Sequence, residues 1–175
     1  MSAFRIVLFL LLGANALYFV ASGSASKAVD SCAWLTLLAL FEAETSFRRH
    51  LAGAHRQRAV RAARLIAAAG VVAATIGYVF EDNALDAANS VLWILVVVLL
   101  EAQLRAPALA ARHERAVNVL AATLYGGLGL LVILWAAQGL WFDAYDAVLW
   151  LVAFATIELA VTRDASAAAV SRLHS

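Results

Sequence analysis

Six apolar stretches, separated by short charged segments, constrain this chain more than any other feature. They run over 4–21, 31–47, 64–80, 89–104, 117–138 and 147–162. Each approaches the ~20 residues that carry an α-helix across the ~30 Å hydrocarbon layer of a bilayer. Backbone polar groups cannot be left unpaired in lipid, and no barrel-like alternation is present, so helix is the expected form. Composition agrees, with 65% apolar and 14% charged residues, against about 45–50% and about 25% in ordinary globular domains. A soluble protein of 175 residues lacks the interior to hide so much apolar surface, whereas lipid makes an apolar exterior favourable.

The arginines set the expected orientation. Arg5 precedes the first stretch, and Arg48, Arg49, Arg56, Arg58, Arg61 and Arg64 lie between or at the edges of the second and third. Arg105, Arg112 and Arg115 separate the fourth from the fifth, and Arg163 and Arg172 follow the sixth. Crossing six times puts all of these on one side. The other side holds Lys27 with Asp30, Glu81, Asp82, Asp86, Asp143 and Asp146. Basic residues resist translocation, so the arginine side is expected to be cytoplasmic, with both termini there, in a bacterial-type inner membrane. Tyr18, Trp34, Tyr78, Trp93, Trp135, Trp141, Tyr145 and Trp150 fall toward the opposite ends, as an interfacial aromatic belt would. A cleaved signal peptide is the alternative for the first stretch, since Gly23-Ser24-Ala25 resembles a cleavage site. Its place in an internal repeat opposes that.

The repeat is carried by Trp34, Trp93 and Trp150, each followed eight residues later by Glu42, Glu101 or Glu158. Four residues before each Trp stand Asp30, Asn89 and Asp146, and Arg48, Arg105 and Arg163 close the segments. The intervals are 59 and 57 residues. An internal duplication at fixed period implies one supersecondary unit used three times. Each unit holds two stretches, so the copies keep one orientation and are parallel repeats about an axis along the membrane normal. The expected fold class is therefore an all-α integral membrane protein of six transmembrane helices, arranged as three tandem helical hairpins in pseudo-threefold array. One membrane domain covers 1–175, with units near 1–50, 60–106 and 115–164, a basic cytoplasmic loop at 47–63 and a cytoplasmic tail at 165–175.

Glu42, Glu101 and Glu158 are the candidate ion- or proton-binding groups. From Asp30 to Glu42 is ~18 Å of helix, and Arg48 is ~9 Å further. The glutamates thus lie one to two turns inside the cytoplasmic boundary, where a carboxylate is costly unless paired, protonated or hydrated. Three at one depth make a ring able to bind or relay cations. The competing reading is structural: Glu101 and Arg105 have i,i+4 spacing, and Arg48 and Arg163 lie near the other two. Asp30, Asn89 and Asp146 read as outer polar helix caps.

Other features carry less chemistry. Cys32 is the single cysteine, which excludes an intramolecular disulfide and a Cys-based metal site. His50, His55, His113 and His174 all fall outside the apolar stretches and read as solvated, so no metal or other cofactor is expected. A net charge of +1 offers no basic face to nucleic acid. No phosphate loop or nucleophile elbow occurs, and no catalytic residue is assigned. Ala69, Ala73 and Gly77, and Ala122 and Gly126, have the small-xxx-small spacing of helix contacts in lipid. Arg58, Arg61 and Arg64 form a basic stripe if they are helical, and a solvated topology-setting loop otherwise.

In the first unit, Asn15 in the leading helix, Asp30 at the start of the second, Phe41-Glu42 toward its inner end and Arg48 beyond resemble the first hairpin of voltage-sensor domains of cation channels. That resemblance implies a pairing role for the inner acidic residue. It covers one hairpin at a time, and no arginine-studded span or pore loop follows, so voltage sensing is not implied. The six-helix plan is also similar to that of mitochondrial carriers, but their Pro-x-Asp/Glu-x-x-Lys/Arg motif is absent.

These features lead to a non-enzymatic, small polytopic inner-membrane protein that serves as a conduit for ions, protons or a small solute through its intramembrane glutamates. The alternative is a non-catalytic accessory or scaffold subunit of a larger membrane complex. The expected partners are the lipid bilayer, other membrane subunits or further copies of the chain, and no nucleic acid.

Overall fold

The computed structural model describes residues 3–46 and 53–156. They form α1 (Ala3–Ser22), α2 (Ala25–Ser46), α3 (Ala54–Phe80), α4 (Ala84–Arg105), α5 (Pro107–Arg112) and α6 (Glu114–Ala137), followed by α7 over 141–156. No strand occurs among the described residues. Among the described residues, four helices are long and apolar enough to cross a membrane: α1, α4 over Ala84–Gln103, α6, and α3 over His55–Phe80. Only 22% to 28% of the most apolar window in each is buried, so most of each helix faces outward. Leu17, Leu65, Ile66 and Phe80 are more than 70% exposed. A surface of that kind is stable against lipid rather than water.

Each of the more peripheral helices offers one narrow stripe to the interior. On α1 the stripe is Leu8, Leu12, Asn15 and Phe19; on α3 it is Ala67, Val71, Ala74 and Tyr78; on α6 it is Leu124, Leu128, Leu131 and Trp135. Steps of four, three and four residues keep a helix face in register. The three stripes recur at the same intervals of 59 and 57 residues as Trp34, Trp93 and Trp150. Between them lie α2, α4 and α7. The Trp34 ring centroid is 6.4 Å from that of Trp93 and 6.5 Å from that of Trp150, which brings these three helices together. Close approach of α2 and α3 depends on small residues. Gly70 faces Ala33, and Gly77 lies against the Ser26 hydroxyl.

The charges separate by end. Lys27 joins Asp86 and Asp143 at the same end as the Ser26–Glu81 hydrogen bond. Arg5 meets Glu42, and Arg64 meets Glu44, at the opposite end.

Several local expectations are corrected. The helices begin earlier than the polar residues, so Asp30, Asn89 and Asp146 are not caps. The N-cap of α4 is Asn83, whose side chain accepts from the Asp86 N–H. Ala69, Ala73, Ala122 and Gly126 are exposed; of the expected series Gly77 does pack, against Ser26, and Gly70 and Ala74 take the inward places instead of Ala69 and Ala73. Trp34, Tyr78, Trp93, Trp135 and Trp150 are buried, leaving Tyr18, Trp141 and Tyr145 as the exposed aromatic group at that end. The helix α3 starts at Ala54, so Arg56, Arg58, Arg61 and Arg64 ride on an exposed helical extension, not in a loop. Pro107 opens α5 at its first turn, where a missing N–H costs nothing.

Candidate functional site

The three glutamates do not share one environment. Glu42 is 8% exposed, and its carboxylate lies 3.5 Å from the Arg5 guanidinium. Its expected partner Arg48 lies outside the described residues. Glu101 projects outward with its side chain 53% exposed, and it forms the expected pair with Arg105 at 2.6 Å. Glu158 and Arg163 lie outside the described residues. An outward-facing pair of this kind contributes little to stability.

Polar groups converge instead at the acidic end, where α2, α4 and α7 meet. The layer nearest the helix ends is Lys27 with Asp86 and Asp143. The ammonium lies 3.2 Å from Asp86 Oδ2, donates to Asp143 Oδ1, and stands 5.6 Å from the centre of the Phe19 ring. Three helices are thereby tied through one cation. A turn deeper stand Asp30, Asn89 and Asp146. Asp30 Oδ2 accepts from the Tyr78 hydroxyl at 3.3 Å, and Asp146 Oδ1 accepts from Asn15 Nδ2 at 2.7 Å. Beside them the hydroxyls of Thr75 and Ser90 are 2.6 Å apart, with Ser90 fully buried. Trp34, Trp93, Trp150 and Phe154 form an aromatic floor, the Trp93 and Phe154 rings being 4.5 Å apart.

Within these layers lies a cavity of about 40 Å³ lined by Lys27, Asp30, Asp86, Asn89, Asp143 and Asp146, among others. A second of about 30 Å³ adjoins the aromatic floor and shares Asp30, Asn89 and Asp146 with the first. The first has room for about three or four water molecules and the second for about two or three, at ~10–15 Å³ of such space per water. Three buried polar atoms beside them have no protein partner: Asp30 Oδ1, Asn89 Oδ1 and Trp34 Nε1. Leaving such groups unmet costs roughly 1–3 kcal/mol each, so hydration or a ligand is energetically favoured there.

Of the residues singled out from sequence, Asp30, Asn89 and Asp146 thus come together, and Glu42 and Glu101 do not share a site. The Lys27, Asp86 and Asp143 layer was missed. Its signal was in the chain, because these residues lie seven positions before Trp34, Trp93 and Trp150 and so obey the same 59 and 57 intervals. The differing residue types, one ammonium and two carboxylates, hid the correspondence. Complementarity is what unites them: the packing of α2, α4 and α7 brings one ammonium between two carboxylates, and opposite charges attract. No protein-family model, curated protein or solved structure matches the chain.

Proposed function

We propose that this chain is a six-span inner-membrane protein of three tandem hairpins, arginine side cytoplasmic, acting as a conduit for a cation, proton or small solute. It has no catalytic activity of its own. The observation that carries the reading is the polar chamber held between α2, α4 and α7 at the acidic end. Polar and ionisable groups are costly at membrane depth and mark ion or proton paths. Cation entry from the acidic side would meet Lys27 first, then Asp30, Asn89 and Asp146, then the aromatic floor. Passage further inward requires the Trp34, Trp93 and Trp150 rings to separate, which makes the floor the gate in this reading. Glu42, with Arg5, would line the inward end of the path.

Flux of Na⁺, K⁺ or H⁺ into proteoliposomes tests this. Asp30→Asn and Asp146→Asn should each lower flux by about tenfold or more, the effect of ~1.4 kcal/mol on one ion-binding step. Glu101→Gln should leave it unchanged, and Glu42→Gln should lower it less than Asp30→Asn does. No flux through the wild type removes the conduit reading. The accessory-subunit or homo-oligomer reading would then lead, because the exposed Ala69–Ala73 and Ala122–Gly126 faces permit close approach by another helix.

A further inference from the structure

We infer that the chamber is a binding site for one small monovalent metal cation of the Na⁺ type, and that the Lys27 ammonium acts as a tethered competitor for it. The inference rests on the conduit reading for its place in function, and on the chamber itself for its chemistry. Charge is the first argument. Four carboxylates, Asp30, Asp86, Asp143 and Asp146, line the cavity with one ammonium, Lys27. With all of them ionised, an excess of three negative charges remains in a low-dielectric interior. Hydration by water alone leaves that excess in place, whereas a proton on one carboxyl or a bound cation offsets part of it, and dependence on the metal ion at fixed pH separates the two.

The second argument is the pattern of unmet atoms. Asp30 is 9% exposed, lines both cavities, and has an Oδ1 with no partner. Asn89 lines the same space with its own Oδ1 unmet. These are acceptors, one anionic and one neutral; the unmet Trp34 Nε1–H can serve only one of them, and the other is left for a water or a cation. Ser31 adds a hydroxyl to the lining. Carboxylate, carboxamide and hydroxyl oxygens are hard ligands suited to an alkali cation, and the volume admits one with only part of its hydration shell. A divalent ion is disfavoured. Ca²⁺ takes six to eight oxygens and Mg²⁺ a near-ideal octahedron; no three His, Cys, Asp or Glu side chains are grouped to hold a metal ion among the described residues, so the cation has Asp30 with the neutral Asn89 and Ser31 oxygens.

Lys27 supplies the competition. It already holds a cationic head between Asp86 and Asp143, the layer adjoining Asp30, Asn89 and Asp146. Its charge raises the local potential and opposes a second cation. The chain has no other lysine. Arg is a poor substitute in this place, because its planar fork is larger than a compact ammonium.

The test is thermal unfolding of the detergent-purified full chain in NaCl, LiCl, KCl, CsCl, CaCl₂, MgCl₂ or N-methylglucamine chloride, all at one ionic strength. The expected result is a saturable rise in melting temperature with Na⁺ or Li⁺ that N-methylglucamine does not give. Asp30→Asn should weaken the apparent affinity by about tenfold or more. Lys27→Met should tighten it by several-fold, a change that a purely structural role for the lysine would not produce. If Lys27→Met does not fold, Asn89→Asp provides the second arm, with the added carboxylate expected to tighten binding.

Equal melting curves in Na⁺ and N-methylglucamine overturn the site. So does an Na⁺ effect that survives both Asp30→Asn and Asp146→Asn, and so does stabilisation by Ca²⁺ or Mg²⁺ with none by Na⁺. Binding in detergent without flux in proteoliposomes removes the conduit and keeps the site. Flux without cation-dependent stabilisation removes the site and keeps the conduit.

Discussion

Gly77 stands where α3 comes closest to α2, and a Cβ there would collide with the Ser26 hydroxyl. That hydroxyl donates to Glu81 at 2.6 Å, so displacing it costs a hydrogen bond as well as packing. Gly77→Ala should destabilise the protein by ~1–3 kcal/mol, the range for overpacking. Gly126 has nothing within 4 Å of the same added atom. Gly126→Ala should be neutral or stabilising by ~0.5–1 kcal/mol, from the lower helical cost of alanine. Urea or thermal unfolding in detergent measures both, and equal effects would remove the close-approach argument. The two repeat glutamates separate in the same assay. Glu42→Gln weakens a pair in which the carboxylate is buried and should cost ~1–3 kcal/mol. Glu101→Gln weakens an exposed i,i+4 pair and should stay within about 0.5 kcal/mol.

At the level of elements, the turn between α3 and α4 is tied to the start of α2 by Glu81. Hydrogen bonds from Ser26, and then from Ser24, hold its carboxyl below the usual carboxylate range. A lowered folded value means the charged form is favoured by the fold. Its stabilising effect is therefore full above the ordinary glutamate value of 4.5 and is lost as pH falls through the lower folded value. Ser26→Ala should move the Glu81 titration upward toward the ordinary value, read by ¹³C carboxyl shifts across pH 2–6. An unchanged titration would assign the turn to backbone contacts alone. Those contacts exist: the Glu81 N–H bonds the Gly77 carbonyl at 2.9 Å and the Asn83 N–H bonds that of Tyr78 at 2.9 Å. Asp82, at φ 54°, takes the left-handed conformation that lets the chain reverse.

For the molecule as a whole, the separation of charge between the two ends is the property on which the proposed orientation in a bilayer rests. Reporter fusions should give a cytoplasmic signal in the segment around Arg56 and after Arg112, and an outside signal at Asp82 and at Gly139. An outside signal near Arg56 would reverse the proposed orientation and turn the polar chamber toward the cytoplasm. The aromatic contacts among Trp34, Trp93 and Trp150 also make one cooperative core of three chain segments. Trp93→Ala should accordingly lower stability by ~3–5 kcal/mol, as large aromatic deletions do.

Local hydrophobicity determined that this chain is helical and suited to lipid, because the cost of unpaired backbone in hydrocarbon leaves no other local solution. The fixed intervals also picked out Trp34, Trp93 and Trp150, and Asp30, Asn89 and Asp146, two sets whose members lie close together in the structure. What periodicity does not carry is which face of each helix turns inward and how far each helix extends. Eight residues from Trp to Glu amount to ~80° around a helix axis, so small differences in helix rotation decide burial. Glu42 turns in to meet Arg5 while Glu101 turns out toward Arg105. The same freedom put Gly70 and Ala74 in place of Ala69 and Ala73 beside the expected Gly77. It also joined Lys27 to Asp86 and Asp143, since partners 59 and 116 residues apart are chosen by packing between helices and by opposite charge, not by local sequence.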